Sequence, residues 1–179
     1  ITIGAGALTG NVNVPVTPGD DPYIDAGTIS ATIASTAGGG ISLNVSAAPA
    51  VTTVLDTIDT TTVTLTASAA TVAEGGSIVY TVSVNNAVTG TPLVITLSNG
   101  QTITIAVGQS SATGAAFAVR ADDAYVQGTQ TLNVGISSTS GGSYEALTTT
   151  STASTTVTDD ADATTVTIST TTATVTEGG

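Results

Sequence analysis

Leu93-Val94-Ile95-Thr96-Leu97-Ser98-Asn99-Gly100-Gln101-Thr102-Ile103-Thr104-Ile105 alternates apolar and polar side chains on both sides of Asn99-Gly100. A period of two puts Leu93, Ile95 and Leu97 on one face of a strand, and Ile103 and Ile105 on one face of the next. Asn-Gly is the strongest short-range hairpin signal, because both central positions of its two-residue turn need positive φ. The stretch reads as two antiparallel strands sharing one buried face.

The composition carries that reading to the whole chain. Thr and Val, which suit a pleated surface, are abundant, and only 8% of the 179 residues are charged. The chain is therefore expected to be all-β. It has no Cys and no His, which removes disulfides, thiol catalysis, the usual zinc sites and imidazole acid–base chemistry. No nucleophile–base pair stands out, so an enzyme is not expected. A net charge of −12, with Arg120 the single basic residue, disfavours nucleic acid and anionic lipid as partners and favours cations. No apolar run is long enough to span a bilayer, so direct membrane insertion is not expected, and the first residues lack the charged head of a signal peptide. The expectation is an internal piece of an exported protein, or a soluble one.

The chain repeats itself. Ile1-Thr2-Ile3 matches Ile103-Thr104-Ile105, and the DDPY at Asp20 matches the DDAY at Asp122, both at a spacing of 102. Further on the spacing is 103: Asp56 matches Asp159, Asp59 matches Asp162, and Glu74-Gly75-Gly76 matches Glu177-Gly178-Gly179. One single-residue indel, placed near residue 45, reconciles the two. Residues 1–59 then read as the C-terminal part of one repeat, 60–162 as a complete repeat and 163–179 as the first strand of the next. The two partial units are expected to be excerpts of a longer chain, or to be completed by neighbouring copies.

Within 60–162, period-two runs place strands at 62–73, 77–84, 91–98, 101–107, 112–119, 129–137 and 150–158. The inward set is Val63, Leu65, Ile78, Tyr80, Val82, Val84, Leu93, Ile95, Leu97, Ile103, Ile105, Val107, Phe117, Val119, Leu132, Val134, Ile136 and Val157. Seven short strands in about 100 residues is the count of an immunoglobulin-like sandwich. Strand parity then gathers Glu74, Asn99, Asp122, Asp123, Asp159 and Asp162 at one pole and leaves Glu145 alone at the other. So many carboxylates at one pole repel unless compensated, and Arg120 is expected to offset only one of them. Calcium, which takes six to eight hard oxygen ligands and tolerates irregular loops, is the expected cofactor. The same acids recur as Asp20, Asp21, Asp56 and Asp59. Read singly, each such Asp is an ordinary turn former. Tyr125 is expected to plug the end of the sandwich. The glycine clusters at Gly38 and Gly141 are expected to be plain turns, and the outward Thr rows solvated surface.

The strings TVAEGGSIVYTVSV (71–84), PLVITLSNGQTITI (92–105), RADDAYVQG (120–128) and VTDDADATTVTI (157–168) resemble the tandem extender repeats of giant bacterial RTX/LapA-type biofilm adhesins, which are Calx-beta-like. The resemblance covers essentially the whole chain. It implies tandem β-sandwich repeats of about 102 residues in a surface protein exported by type I secretion, serving cell adhesion and biofilm formation. Its partners would be neighbouring repeats of the same chain, with like chains in a fibre left open. In Calx-beta-like domains the acids that hold calcium match Glu74, Asp122, Asp123, Asp159 and Asp162. Two departures stand out: Pro22 and Asp25 in the first copy replace Ala124 and Gln127 in the second. A glycan- or surface-binding sandwich module, or a segment of an extracellular matrix filament, is the competing reading.

Overall fold

A computed structural model describes residues 1–16 and 19–178; Thr17, Pro18 and Gly179, the last residue of the second Glu-Gly-Gly, lie outside the described residues. The chain is all-β, with no helix among the described residues. Its strands in order are β1 (Gly27–Ala31), β2 (Ala50–Val54), β3 (Thr60–Ala67), β4 (Thr71–Ala73), β5 (Ser77–Ile78), β6 (Tyr80–Val84) and β7 (Leu93–Leu97). There follow β8 (Thr102–Ile105), β9 (Ser111–Thr113), β10 (Phe117–Ala118), β11 (Gln130–Ser140), β12 (Ala146–Thr148) and β13 (Thr152–Thr158).

Two sheets share one core. One has the order β4-β13-β11-β7-β8 and the other β12-β3-β6-β9. β7 pairs antiparallel with β8, Thr96 opposite Thr102, but the connection is not the expected two-residue turn: Gly100 N donates to Leu97 O (2.9 Å), Gly100 alone in the loop has positive φ (85°), and Ser98-Asn99-Gly100 form a three-residue loop. Leu93, Ile95, Leu97, Ile103 and Ile105 from this sheet meet Val63, Leu65, Tyr80, Val82 and Val84 from the other in a single buried cluster. Val88, Tyr144 and Ala153 complete it without having been expected there. Val107, expected inside, is 49% exposed because β8 stops at Ile105.

Two expected strands are divided. The run 62–73 breaks at Ser68-Ala69-Ala70, and its halves join different sheets: β3 pairs antiparallel with β6, while β4 runs parallel beside β13. Ser68 holds the crossing point by donating its N–H to Val79 O (2.9 Å) and accepting from Val79 N through its Oγ (3.0 Å). The run 112–119 likewise separates into β9, which extends the β6 edge, and β10, which pairs only with β5. The inward parity slips by one residue at each break, from Val63 and Leu65 to Val72 and from Ala112 to Phe117, a signal blurred by the alanines on either side. Strand β12, parallel to β3, has no alternating signature.

Tyr80 is the largest fully buried side chain, packed 6.4 Å from the ring of Phe117, and its hydroxyl finds no protein hydrogen-bond partner. An unsatisfied buried hydroxyl is a liability of about 1–3 kcal/mol. Tyr80→Phe is therefore expected to keep or raise the denaturation midpoint; a clear fall would show that the hydroxyl is bonded in solution.

Among the described residues, 1–59 form the β1–β2 ladder and the Tyr23 bridge to Tyr144, and large apolar side chains such as Ile1, Ile3, Leu8 and Ile33 are exposed. The ladder nonetheless repeats another one. Gly27 faces Val54 in β1–β2 and Gln130 faces Val157 in β11–β13, so the second register is the first shifted by 103 residues. Asp25 and Gln127, 102 residues apart, make the same backbone bond to Asp56 and Asp159. The indel thus lies between Asp25 and Gly27, upstream of the place near residue 45 where sequence matching put it.

Candidate metal centre

Glu74 sits in the turn between β4 and β5, and its two glycines shape that turn. Gly75 has a φ of 72°, and a Cβ there would stand 3.0 Å from Asp122 Cβ. At Gly76 a Cβ would fall 2.7 Å from Val72 Cγ2. The turn is pinned on both sides, Glu74 N donating to Thr158 O (2.9 Å) and Gly75 N to Arg120 O (2.8 Å). The end of β13, the segment after β10 and the β4–β5 turn are thereby drawn to one place.

Four carboxylates converge there. Glu74, Asp122, Asp160 and Asp162 can each offer an oxygen, all within 4.8 Å of one another. Glu74 is buried and the other three are exposed. Oxygens on opposite sides of one calcium ion lie about 5 Å apart, since each bond is about 2.3–2.6 Å. The spacing and the all-oxygen donor set fit that ion.

Three of the expected ligands, Glu74, Asp122 and Asp162, belong to this group. Asp160 joins it, although the sequence reading passed over it by pairing acids three residues apart. Asp159 instead accepts from Gln127 N (3.0 Å) and Arg120 Nη2 (3.3 Å). Asp123 accepts from Tyr125 N (2.8 Å) and from the Gln127 amide, closing its own loop. Arg120 does more than offset one acid. Its Nε pairs with Glu74 Oε2 at 2.9 Å, its Nη2 with Asp159, and Nη2 also donates to Gly128 O at 2.7 Å. Glu74 Oε1 remains directed to the cluster, with a long 3.4 Å contact from Asp160 N.

The acids of the first segment are arranged otherwise. Asp21 accepts from Tyr23 N (2.9 Å), Asp56 from Asp25 N (3.0 Å), and Asp20 from Thr57 Oγ1. Asp59 N donates to Glu145. Among the described residues, Asp20, Asp21, Asp56 and Asp59 do not gather at ligand spacing, and Glu74 has no counterpart there. Thr57 stands at the place of Asp160, which removes one carboxylate more. Glu145, read from the sequence as alone at the opposite pole, is no member of the cluster and accepts from Asp59 N in the segment that precedes β3.

Crowding shifts the protonation of these groups. Burial pushes the Glu74 carboxyl up, aided by the adjoining Asp159, while Asp160 N–H and Arg120 pull it back. Asp162 is raised by burial and then by Asp122, Asp160, Asp123 and Asp159. Burial would raise Asp159 too, but bonds from Glu74, Gln127 N and Gly128 N and the charge of Arg120 hold it below the usual range. Groups raised on folding bind protons more tightly when folded, so the stability they give is present at low pH and lost as pH rises through their raised values. Asp159 acts oppositely, losing its contribution only as pH falls below 3.8. In chelator, melting is thus expected to be higher near pH 5 than at pH 7; a flat or reversed profile would mean that the acids do not crowd.

A family model described as the LapA domain matches residues 1–57 and 59–160. No curated protein and no solved structure matches the chain.

Proposed function

The chain belongs to the LapA domain family, and on that premise we propose that it is a structural spacer in a large bacterial surface adhesin, built of tandem immunoglobulin-like, Calx-beta-like repeats and stiffened by calcium where repeats meet. In this reading the protein is extracellular, reaches the surface by type I secretion and serves cell adhesion and biofilm formation. The divisions are the partial repeat 1–59, the complete repeat 60–162 and the opening of a third at 163.

One observation carries the reading: Asp160 and Asp162, on the segment leaving β13, share a cluster with Glu74 and Asp122 from turns of the sandwich itself. An ion held by both would tie the linker to the repeat it leaves. A linker without that tie is a short polar chain among repelling carboxylates, free to swing. With the ion, the linker loses that freedom and serial repeats extend.

The test is a chain carrying residues 60–162 twice in tandem, followed by small-angle scattering. Its radius of gyration is expected to be larger in millimolar calcium than in chelator, and Asp122→Ala with Asp160→Ala in the first copy should remove the difference. Extension by calcium that persists undiminished in that variant would sink the proposed joint.

A further inference from the structure

We propose that Tyr125 and Val126 form the outgoing half of a tyrosine latch that docks, without metal, on the Ser143–Glu145 edge of a following unit of this same kind. The proposal rests on the reading of the chain as serial repeats, but not on calcium.

The closed form of the latch is already within the chain. Tyr23 and Tyr144 form an isolated antiparallel bridge, flanked by Ile24 N donating to Ser143 O (2.9 Å) and Glu145 N donating to Pro22 O (3.2 Å). The two rings pack at 5.5 Å with a 32° tilt, a favourable offset for aromatic side chains. Each hydroxyl is spoken for: Tyr23 donates to Ala87 O (2.6 Å) and Tyr144 to Asn86 O (2.7 Å). The contact thus joins the loop before β1 to the loops that precede β7 and β12.

Tyr125 occupies the place of Tyr23 one copy later. The same turn presents it, since Tyr125 N donates to Asp123 as Tyr23 N does to Asp21. The same bond anchors the loop behind it, from Gln127 N to Asp159 as from Asp25 N to Asp56. Yet Tyr125 is 77% exposed and Val126 95% exposed, where Tyr23 is half-buried against its neighbour. Tyr125 does not plug the sandwich, as the sequence suggested; it stands out from it. A large amphipathic ring held outward by a rigid turn is preorganised for a partner.

The occupant follows from the closed form. It must offer an extended edge, two free carbonyls to take the hydroxyl and the Val126 N–H, and an apolar side chain opposite the ring. The Ser143–Glu145 edge offers the Ser143 carbonyl to the amide and the Tyr144 ring to the tyrosine, Ala87 O in the adjoining loop takes the hydroxyl, and the position matching Tyr144 in the first copy, Ile41, is also apolar. The departure Pro22 to Ala124 is harmless here, because residue 22 contributes only its carbonyl. Such a contact is head-to-tail, different patches meeting on each unit, and so propagates along a chain.

Hydrogen exchange in chelator tests it, using the chain that carries residues 60–162 twice. The Val126 amide of the first copy is expected to exchange at least about tenfold more slowly there than in the 179-residue chain taken alone, approaching Ile24, the latched counterpart. Tyr125→Ala in the first copy, a surface change, should restore fast exchange without unfolding either copy. Equal exchange of Val126 in the 179-residue chain and in the tandem chain overturns the latch, as does an unprotected Ile24. Calcium failing to extend the chain would leave this result untouched.

Discussion

Ile105→Ala should lower the free energy of unfolding by about 2–5 kcal/mol, whereas Ile3→Ala should change it by no more than about 0.5 kcal/mol. The two residues close the same Ile-Thr-Ile triplet, 102 residues apart. Ile105 is fully buried opposite Leu93, so truncation loses both its transfer from water and the packing around it. Ile3 is 56% exposed and no strand pairs with it. Local sequence is the same and only tertiary surroundings differ, which makes the pair a direct measure of where the core lies. Denaturant midpoints of the two variants check it; comparable losses would mean that residues 1–59 bury their apolar side chains against a partner in solution.

Calcium at 100 times its dissociation constant should add about 2.7 kcal/mol to stability, because an ion that binds only the folded state shifts folding by mass action. Selectivity for the folded state is built in. Glu74, Asp122 and Asp160 lie far apart in sequence and meet only when the β4–β5 turn, the segment after β10 and the end of β13 are in place. For a core of this size the melting temperature should rise by roughly 10 °C or more. Asp122→Asn with Asp160→Asn should abolish that rise and, in chelator, leave the protein no less stable than the parent, since like charges have been removed. Loss of stability by the double variant in chelator would show that these acids are structural and not ion ligands.

Much of the fold could be read from alternation and turn chemistry. Asn99-Gly100 fixes a hairpin, and the inward positions of β3, β6, β7 and β8 follow by parity because a slip of one residue would turn every apolar side chain outward. The division of 62–73 between two sheets leaves only a one-residue slip of parity, from Val63 and Leu65 to Val72, and the alanines at 67, 69, 70 and 73 blur it. The candidate centre was half legible. Parity brought Glu74 and Asp122 to one pole, but which linker acid turns inward depends on Arg120, whose two ion pairs hold Asp159 aside and leave Asp160 to face the cluster. Glu145 was read as alone because its acidic neighbours, Asp56 and Asp59, lie outside 60–162. Tyr125 was misread because strand parity does not say where a loop side chain points, and the turn that closes on Asp123 holds it outward.

Calorimetric titration of calcium into the 179-residue chain, beside the same titration into the Asp122→Asn, Asp160→Asn variant, addresses the proposed calcium joint most directly. Saturable binding by the parent that disappears in the variant, with the variant still showing the cooperative melt of an intact core, is the predicted result. Absence of binding by the parent, or equal binding by both chains, would contradict it.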